Sequence, residues 1–127
     1  MLTPYLPFHT KATLVNQPII LSTQPLDLYA EQTLSRFGQF KVAAQPTFEG
    51  LMHEIAPAIG LVVRGQVQIT AALMDAAPNL KVIGRTGVGY DTVDIKAATE
   101  RGIAVVYTPG AGARAVAEAA FAFMLAL

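Results

Sequence analysis

Five short runs rich in Val, Ile and Leu, centred near Ile20, Val42, Val62, Val82 and Val105, alternate along this chain with segments of helical pattern. The step from one run to the next is roughly 20 residues, which suits a strand, a helix and their loops. The helical segments are Leu26–Phe37, Phe48–Ala56, Thr70–Ala77, Ile95–Arg101 and a last one, Ala113–Leu127. Regular alternation of this kind restricts the chain to the α/β class, with parallel strands and helices on both faces of an open sheet. About five such units most often adopt the flavodoxin-like strand order 2-1-3-4-5. Local punctuation agrees. Asp94 is placed to cap Ile95–Arg101, and Gly102 to close it. Thr70 can cap the helix that ends near Ala77, and Pro78 stops it. Residues Met1–Thr13 show no clear period and read as an extended lead-in.

Composition narrows the partners. At 127 residues the chain is long enough for one domain with a sizeable core. Hydrophobic residues make up 53% and charged residues 14%, an apolar balance that implies some surface meeting a partner. Nine basic residues balance nine acidic ones, so charge gives no argument for nucleic acid or an anionic membrane. The absence of cysteine excludes disulfides and thiolate metal sites and fits a cytoplasmic protein. No basic region precedes an apolar run at the N-terminus, so no signal peptide is expected. The apolar stretch Ala119–Leu127 is far short of the ~20 residues that span a bilayer.

The glycine-rich loops hold the chemistry. Lys81-Val82-Ile83 runs into Gly84-Arg85-Thr86-Gly87-Val88-Gly89. Glycines at a strand's carboxyl end leave bare N–H groups, and a concave row of these suits an anion. Val88 and Gly89 are the expected donors to a small carboxylate, with Arg85 nearby as positive charge. The same glycines could instead serve only a tight turn and close packing. Arg64-Gly65 ends the neighbouring run Leu61-Val62-Val63, so the two loops should face one cleft; a plain surface arginine is the alternative. Gly87-Val88-Gly89-Tyr90-Asp91-Thr92 is not a dinucleotide fingerprint, because Thr92 stands where Gly or Ala is needed. Gly110-Ala111-Gly112-Ala113-Arg114-Ala115 does fit G-x-G-x-x-A after a strand. Pro109 and the lack of a ribose-binding acid ~20 residues on argue against it, and it reads better as a flexible loop entering a helix.

Other candidates reduce to packing. His9 and His53 have no ligand spacing, so no metal site is expected. Asp91 reads as a turn residue. Tyr90 either lines the cleft or merely covers it. Met52, Met74 and Met124 sit on apolar helical faces and read as core. Within Ala113–Leu127, Val116, Ala119, Ala120, Phe123 and Leu127 form one stripe, while Phe121, Met124 and Leu125 continue around the other side. A helix that is apolar all round is buried all round, so this one should join a second lobe or an identical chain.

Taken together, V-R-G at 63–65, N-L-K-V-I-G-R-x-G-V-G from Asn79, D-x-V-D at 91–94, A-A-T-E-R-G-I from Ala97, T-P-G at 108–110 and R-A-V-A-E at 114–118 resemble the D-isomer-specific 2-hydroxyacid dehydrogenases, especially their phosphoglycerate dehydrogenase-like branch. The resemblance runs from about Leu61 to Leu127; Met1–Gly60 share only the strand–helix rhythm. It implies a flavodoxin-like substrate lobe over residues 1–112, with residues 113–127 crossing into an NAD-binding Rossmann lobe absent from this sequence. It implies a carboxylate held by the Val88 and Gly89 backbone, Val88 beside the nicotinamide, and Arg64 and Gly65 at the cleft. The family usually has Asn where this chain has Thr92 and Tyr107, which bears on local turn geometry. Its cofactor fingerprint and its catalytic Arg, acid and His lie beyond residue 127, so no catalytic residue is assigned here.

The expectation is therefore the substrate-binding lobe of an NAD- or NADP-dependent oxidoreductase acting on a small 2-hydroxy or 2-oxo acid. This 127-residue piece should be inactive and cofactor-free by itself, and homodimeric through Ala113–Leu127. Two alternatives are a non-enzymatic flavodoxin-like binding module and a self-associating structural module. Arg64 at the third strand's end lacks the carboxylate a phospho-receiver needs. Ser22-Thr23-Gln24-Pro25 makes a poor phosphate loop for a flavin nucleotide.

Overall fold

The computed structural model describes residues 17–126. The lead-in Met1–Thr13, His9 and Leu127 lie outside these. The elements alternate without interruption: β1 Ile19–Ser22, α1 Leu28–Leu34, β2 Gln39–Val42, α2 Phe48–Glu54, β3 Ala58–Val63, α3 Ala71–Asp75, β4 Val82–Arg85, α4 Ile95–Glu100, β5 Ala104–Tyr107 and α5 Ala113–Ala126. The five strands form one sheet in the order β2-β1-β3-β4-β5, every pair parallel. The flavodoxin-like expectation is met in strand number, order and direction. The first four helices are shorter than the sequence pattern suggested: all four end earlier, and α1 and α3 also start later, after their caps. Asp27 accepts from the Ala30 N–H at 3.0 Å and begins α1 at Leu28 rather than Leu26. Thr47 caps α2 in the same way, accepting from Gly50.

Strand order fixes the layers. The chain steps one way from β1 to β2 and the other way through β3, β4 and β5. Right-handed crossovers then put α1 on one face and α2, α3 and α4 on the other. The core lies under the three-helix face. Leu21, Leu61, Val63 and Ile83 from the sheet meet Leu51, Ile55, Leu73 and Ala98 from the helices, all at most 1% exposed. Each such side chain contributes roughly 1.5–3 kcal/mol by leaving water. Met74 joins this core, but Met52 and Met124 do not: they are 36% and 70% exposed. Both lie on helices, but among the described residues neither is packed into the core.

Among the described residues the α1 face is thinly covered. Val62, Gly84 and Val106 lie side by side across β3, β4 and β5. With Leu26, Tyr29 and Thr33 they line an open apolar groove of about 500 Å³. Helix α5 does not fill it, and no described residue of α5 is buried. No helix among the described residues is long and apolar enough to cross a membrane.

Candidate functional site

The carboxyl edge of the sheet gathers the glycine loops. Strand register pairs Val63 of β3 with Arg85 of β4, and the Thr86 N–H donates to the Val63 carbonyl at 3.0 Å. The loops that begin at Arg64 and Thr86 therefore leave the sheet side by side, as the sequence order implied. Both turn sharply on glycine. Gly65 has φ +88° and Gly87 has φ +139°, conformations that side chains disfavour. A Cβ at Gly65 would also stand 2.8 Å from the Gln24 amide. Gly89 differs. Its φ is not positive, and a Cβ there would meet only the Asp91 carboxylate at 3.3 Å. Backbone strain therefore does not require glycine at 89.

Among the described residues, neither the Val88 nor the Gly89 N–H donates to any acceptor. Gly87 N–H, by contrast, is taken by the Thr108 hydroxyl at 3.1 Å. The loop thus has two adjacent N–H groups without an acceptor among the described residues, beyond a glycine whose N–H is taken. Val88 itself is 55% exposed. Arg64 donates one guanidinium N–H to the Pro25 carbonyl at 2.8 Å, leaving further donors of its fork open. Arg85 folds back onto its own loop, donating to the Thr86 carbonyl, and its buried Nε has no partner among the described residues.

Two threonines missed by the sequence reading hold this edge. Thr23 follows β1 and is 1% exposed. Its hydroxyl donates to the Arg64 carbonyl at 2.7 Å and accepts from the Arg64 N–H at 2.8 Å. Thr108 follows β5, and its hydroxyl makes the same reciprocal pair with Gly87, at 3.1 Å each way. The only signal for them was position: each is the first residue after a strand. Their partners could be known only from which strands are neighbours.

The turn with Thr92 forms normally. Ile69 N–H donates to the Thr92 carbonyl at 2.7 Å, and Asp94 caps α4 through Ala97 at 2.9 Å. The Thr92 hydroxyl, however, is buried without a partner among the described residues. Tyr107 packs edge-to-face on Tyr90, ring centroids 5.1 Å apart, and the two line a small hollow with Ile95 and Val105. His53 sits in the last turn of α2, and no cluster of three metal-ligating side chains occurs among the described residues.

The second glycine segment, Gly110 to Gly112, lies in open space. Gly110 has φ +73°, but a Cβ at Gly110 or Gly112 would meet nothing within 4 Å. The Ala113 and Val116 N–H groups are already used by Gly110 and Gly112 carbonyls.

Known proteins share this architecture. The sequence model of the D-isomer specific 2-hydroxyacid dehydrogenase catalytic domain matches residues 19–124. A D-3-phosphoglycerate dehydrogenase of Methanocaldococcus jannaschii is 45% identical over 107 residues, covering 84% of this chain and 20% of that protein. A hydroxypyruvate reductase of Thermotoga maritima is 41% identical over 103 residues, covering 80% of this chain and 34% of that protein. A Thermus thermophilus crystal structure superposes with TM-score 0.77 at 37% identity, covering 85% of this chain and 36% of that one. A D-lactate dehydrogenase of Aquifex aeolicus, solved with NAD and lactic acid, superposes with TM-score 0.70 at 25% identity, covering 86% and 33%. The chain spans about a fifth to a third of the length of these curated relatives.

Proposed function

Because the chain belongs to the D-isomer specific 2-hydroxyacid dehydrogenase family, we propose that its sheet and first four helices form the substrate-binding lobe of such an enzyme. The observation that carries this reading is the pair of free N–H groups at Val88 and Gly89, set just beyond a glycine at φ +139° on the carboxyl edge of the sheet. Those donors bind the carboxylate of a small 2-hydroxy or 2-oxo acid. Arg64 and Gly65, on the adjoining loop, close the other side of the cleft. Val88, half exposed, is the residue that would lie beside the nicotinamide in this reading.

An NAD or NADP nicotinamide supplies hydride exchange at the substrate's second carbon when bound. In this proposal it is held by a Rossmann lobe outside residues 1–112, with 113–127 crossing towards it. The part played by these residues is orientation. Two backbone donors fix the carboxylate without a titratable group, so binding does not depend on a protein proton. In this reading orientation is the whole part these residues play, so a polypeptide of these 127 residues alone should not oxidise NADH with 2-oxo acids.

The test is a titration of the ¹⁵N-labelled chain with oxalate, a planar two-carbon diacid. The Val88 and Gly89 amide signals should move most, and the shift should survive replacement of Arg85. Shifts spread evenly over the surface, or none at the 87–89 loop, would overturn the reading.

One observation favours a second property of the isolated polypeptide. Phe121, Phe123, Met124 and Leu125 of α5 are each at least 68% exposed. We infer that two copies pair through Ala113–Leu127 when nothing else covers that helix. Light scattering on the wild type and on a Phe121→Glu, Leu125→Glu double variant decides it; identical masses would sink the pairing.

A further inference from the structure

We propose that Thr23 and Thr108 are positioning residues, whose hydroxyls hold the Arg64 and Gly87 backbones and so aim the two loops of the cleft. The proposal rests on the carboxylate reading for what the loops bind, but not for how they are held.

In a regular parallel ladder, one residue's N–H and C=O pair with two different residues of the neighbouring strand. That pattern stops at the carboxyl edge here. Thr23 N–H still donates to the Val62 carbonyl at 2.9 Å, as the ladder requires. The next bond should run from the Arg64 N–H to the Thr23 main-chain carbonyl. It goes instead to the Thr23 hydroxyl, which also donates back to the Arg64 carbonyl. Both polar groups of one residue are thus satisfied by one side chain.

The other side of the cleft repeats the device. Thr108 N–H donates to the Gly87 carbonyl at 3.1 Å, and the Thr108 hydroxyl both donates to that carbonyl and accepts from the Gly87 N–H. A carbonyl has two lone pairs and can take both bonds. Each clasp sits where the chain reverses: Arg64 directly precedes Gly65 at φ +88°, and Gly87 is itself at φ +139°. A glycine is free to leave such a conformation. The hydroxyl opposes that freedom. It also occupies the Gly87 N–H, so the next two N–H groups, at Val88 and Gly89, are the first ones open to a ligand. Threonine suits the position because β-branching restricts χ1, which keeps the hydroxyl aimed at its partner.

Valine has nearly the shape of threonine and lacks the hydroxyl, so Thr108→Val removes the clasp while keeping the packing. ¹⁵N relaxation of the full chain should show the Gly87–Gly89 amides falling from rigid order parameters to roughly 0.6 or below. Oxalate affinity should weaken by about tenfold, the scale of one or two lost hydrogen bonds. Thr108→Ser restores the hydroxyl and should return both readouts to within about twofold of wild type. Thr23→Val should loosen Arg64 and Gly65 and leave Gly87–Gly89 unchanged; it serves as the independent test should Thr108→Val fail to fold. Relaxation at Gly87–Gly89 identical in wild type and Thr108→Val overturns the proposal, as does a serine variant that behaves like valine. If oxalate moves no amide in the wild type, the carboxylate reading fails, and the relaxation comparison still decides the clasp.

Discussion

Helices α4 and α5 stand on either side of β5 and are held by opposite means. α4 has six residues, α5 fourteen. α4 is fixed at both ends: Asp94 caps its start, and Gly102 at φ +65° closes it. The Gly102 N–H donates to the Thr99 carbonyl and the Ile103 N–H to that of Ala98, at 3.1 and 2.9 Å, a Schellman closure. Its inner face, Ala97 and Ala98, is buried against the sheet. α5 is more apolar and more than twice as long, yet buries nothing. Hydrophobicity alone therefore does not say which helix is packed. Caps and a one-sided stripe say it for α4; α5 is apolar on every side beyond Glu118 and finds no surface among the described residues.

The largest expected contrast is in stability. Leu73→Ala, in the layer that packs beside α4, should cost about 2–5 kcal/mol, the range for a buried leucine. Phe121→Ala on α5 should change stability by less than ~0.5 kcal/mol, as for an uncovered surface position. Urea denaturation at low micromolar concentration measures both. A Phe121 penalty near that of Leu73 would break the comparison and show α5 covered in solution. A penalty that grows with protein concentration would sharpen it, because pairing would then be the cover.

The contrast also marks what could be read from the sequence. Strand order followed from alternation, since the step of one strand and one helix leaves few topologies. The caps at Thr70 and Asp94 were legible because they are local. That the loops after Val63 and Arg85 are neighbours was legible too, because each glycine turn directly follows a strand and the strand order puts those strands side by side. The clasps were not. The partners of Thr23 and Thr108 lie 41 and 21 residues away, and only the strand register brings them together. Met52 and Met124 failed for the complementary reason: a stripe locates an apolar face but not what meets it.

A smaller effect compares the glycines on either side of β5. Gly102→Ala forces an L-residue into φ +65° at the closure of α4, which costs roughly 1–2 kcal/mol. Gly112→Ala, just before α5, meets nothing within 4 Å at a φ that is not positive. It should be neutral or stabilise by up to ~1 kcal/mol through the unfolded chain. Thermal midpoints of the two variants should therefore move in opposite directions or differ clearly in size. Equal losses would mean that the entrance to α5 is as constrained as the exit from α4.

The smallest effect is electrostatic. Arg101, the residue that ends α4, makes a paired contact with Asp75 at the end of α3, with Nε–Oδ1 at 2.7 Å and Nη2–Oδ2 at 3.0 Å. The hydrogen bond from Arg101 holds the Asp75 carboxyl below its ordinary value of 3.8; desolvation opposes this, and the guanidinium charge adds to it. Asp75 therefore binds its proton more weakly in the folded chain than in the unfolded one. Its contribution is present above the ordinary carboxylate range and is lost as pH falls through the folded value. Both groups face solvent, so the contribution is small. Asp75→Asn should lower the thermal midpoint slightly at neutral pH and converge on wild type in acid below that range. On α5, Arg114 and Glu118 make a contact of similar length, 2.8 Å, between residues four apart on one helix. That pair joins no two elements, so Glu118→Gln should leave the midpoint unmoved at neutral pH. If Glu118→Gln and Asp75→Asn shift it equally, the bridge between α3 and α4 adds nothing beyond its own local charges. The ends of α4 would then owe their order to the caps alone.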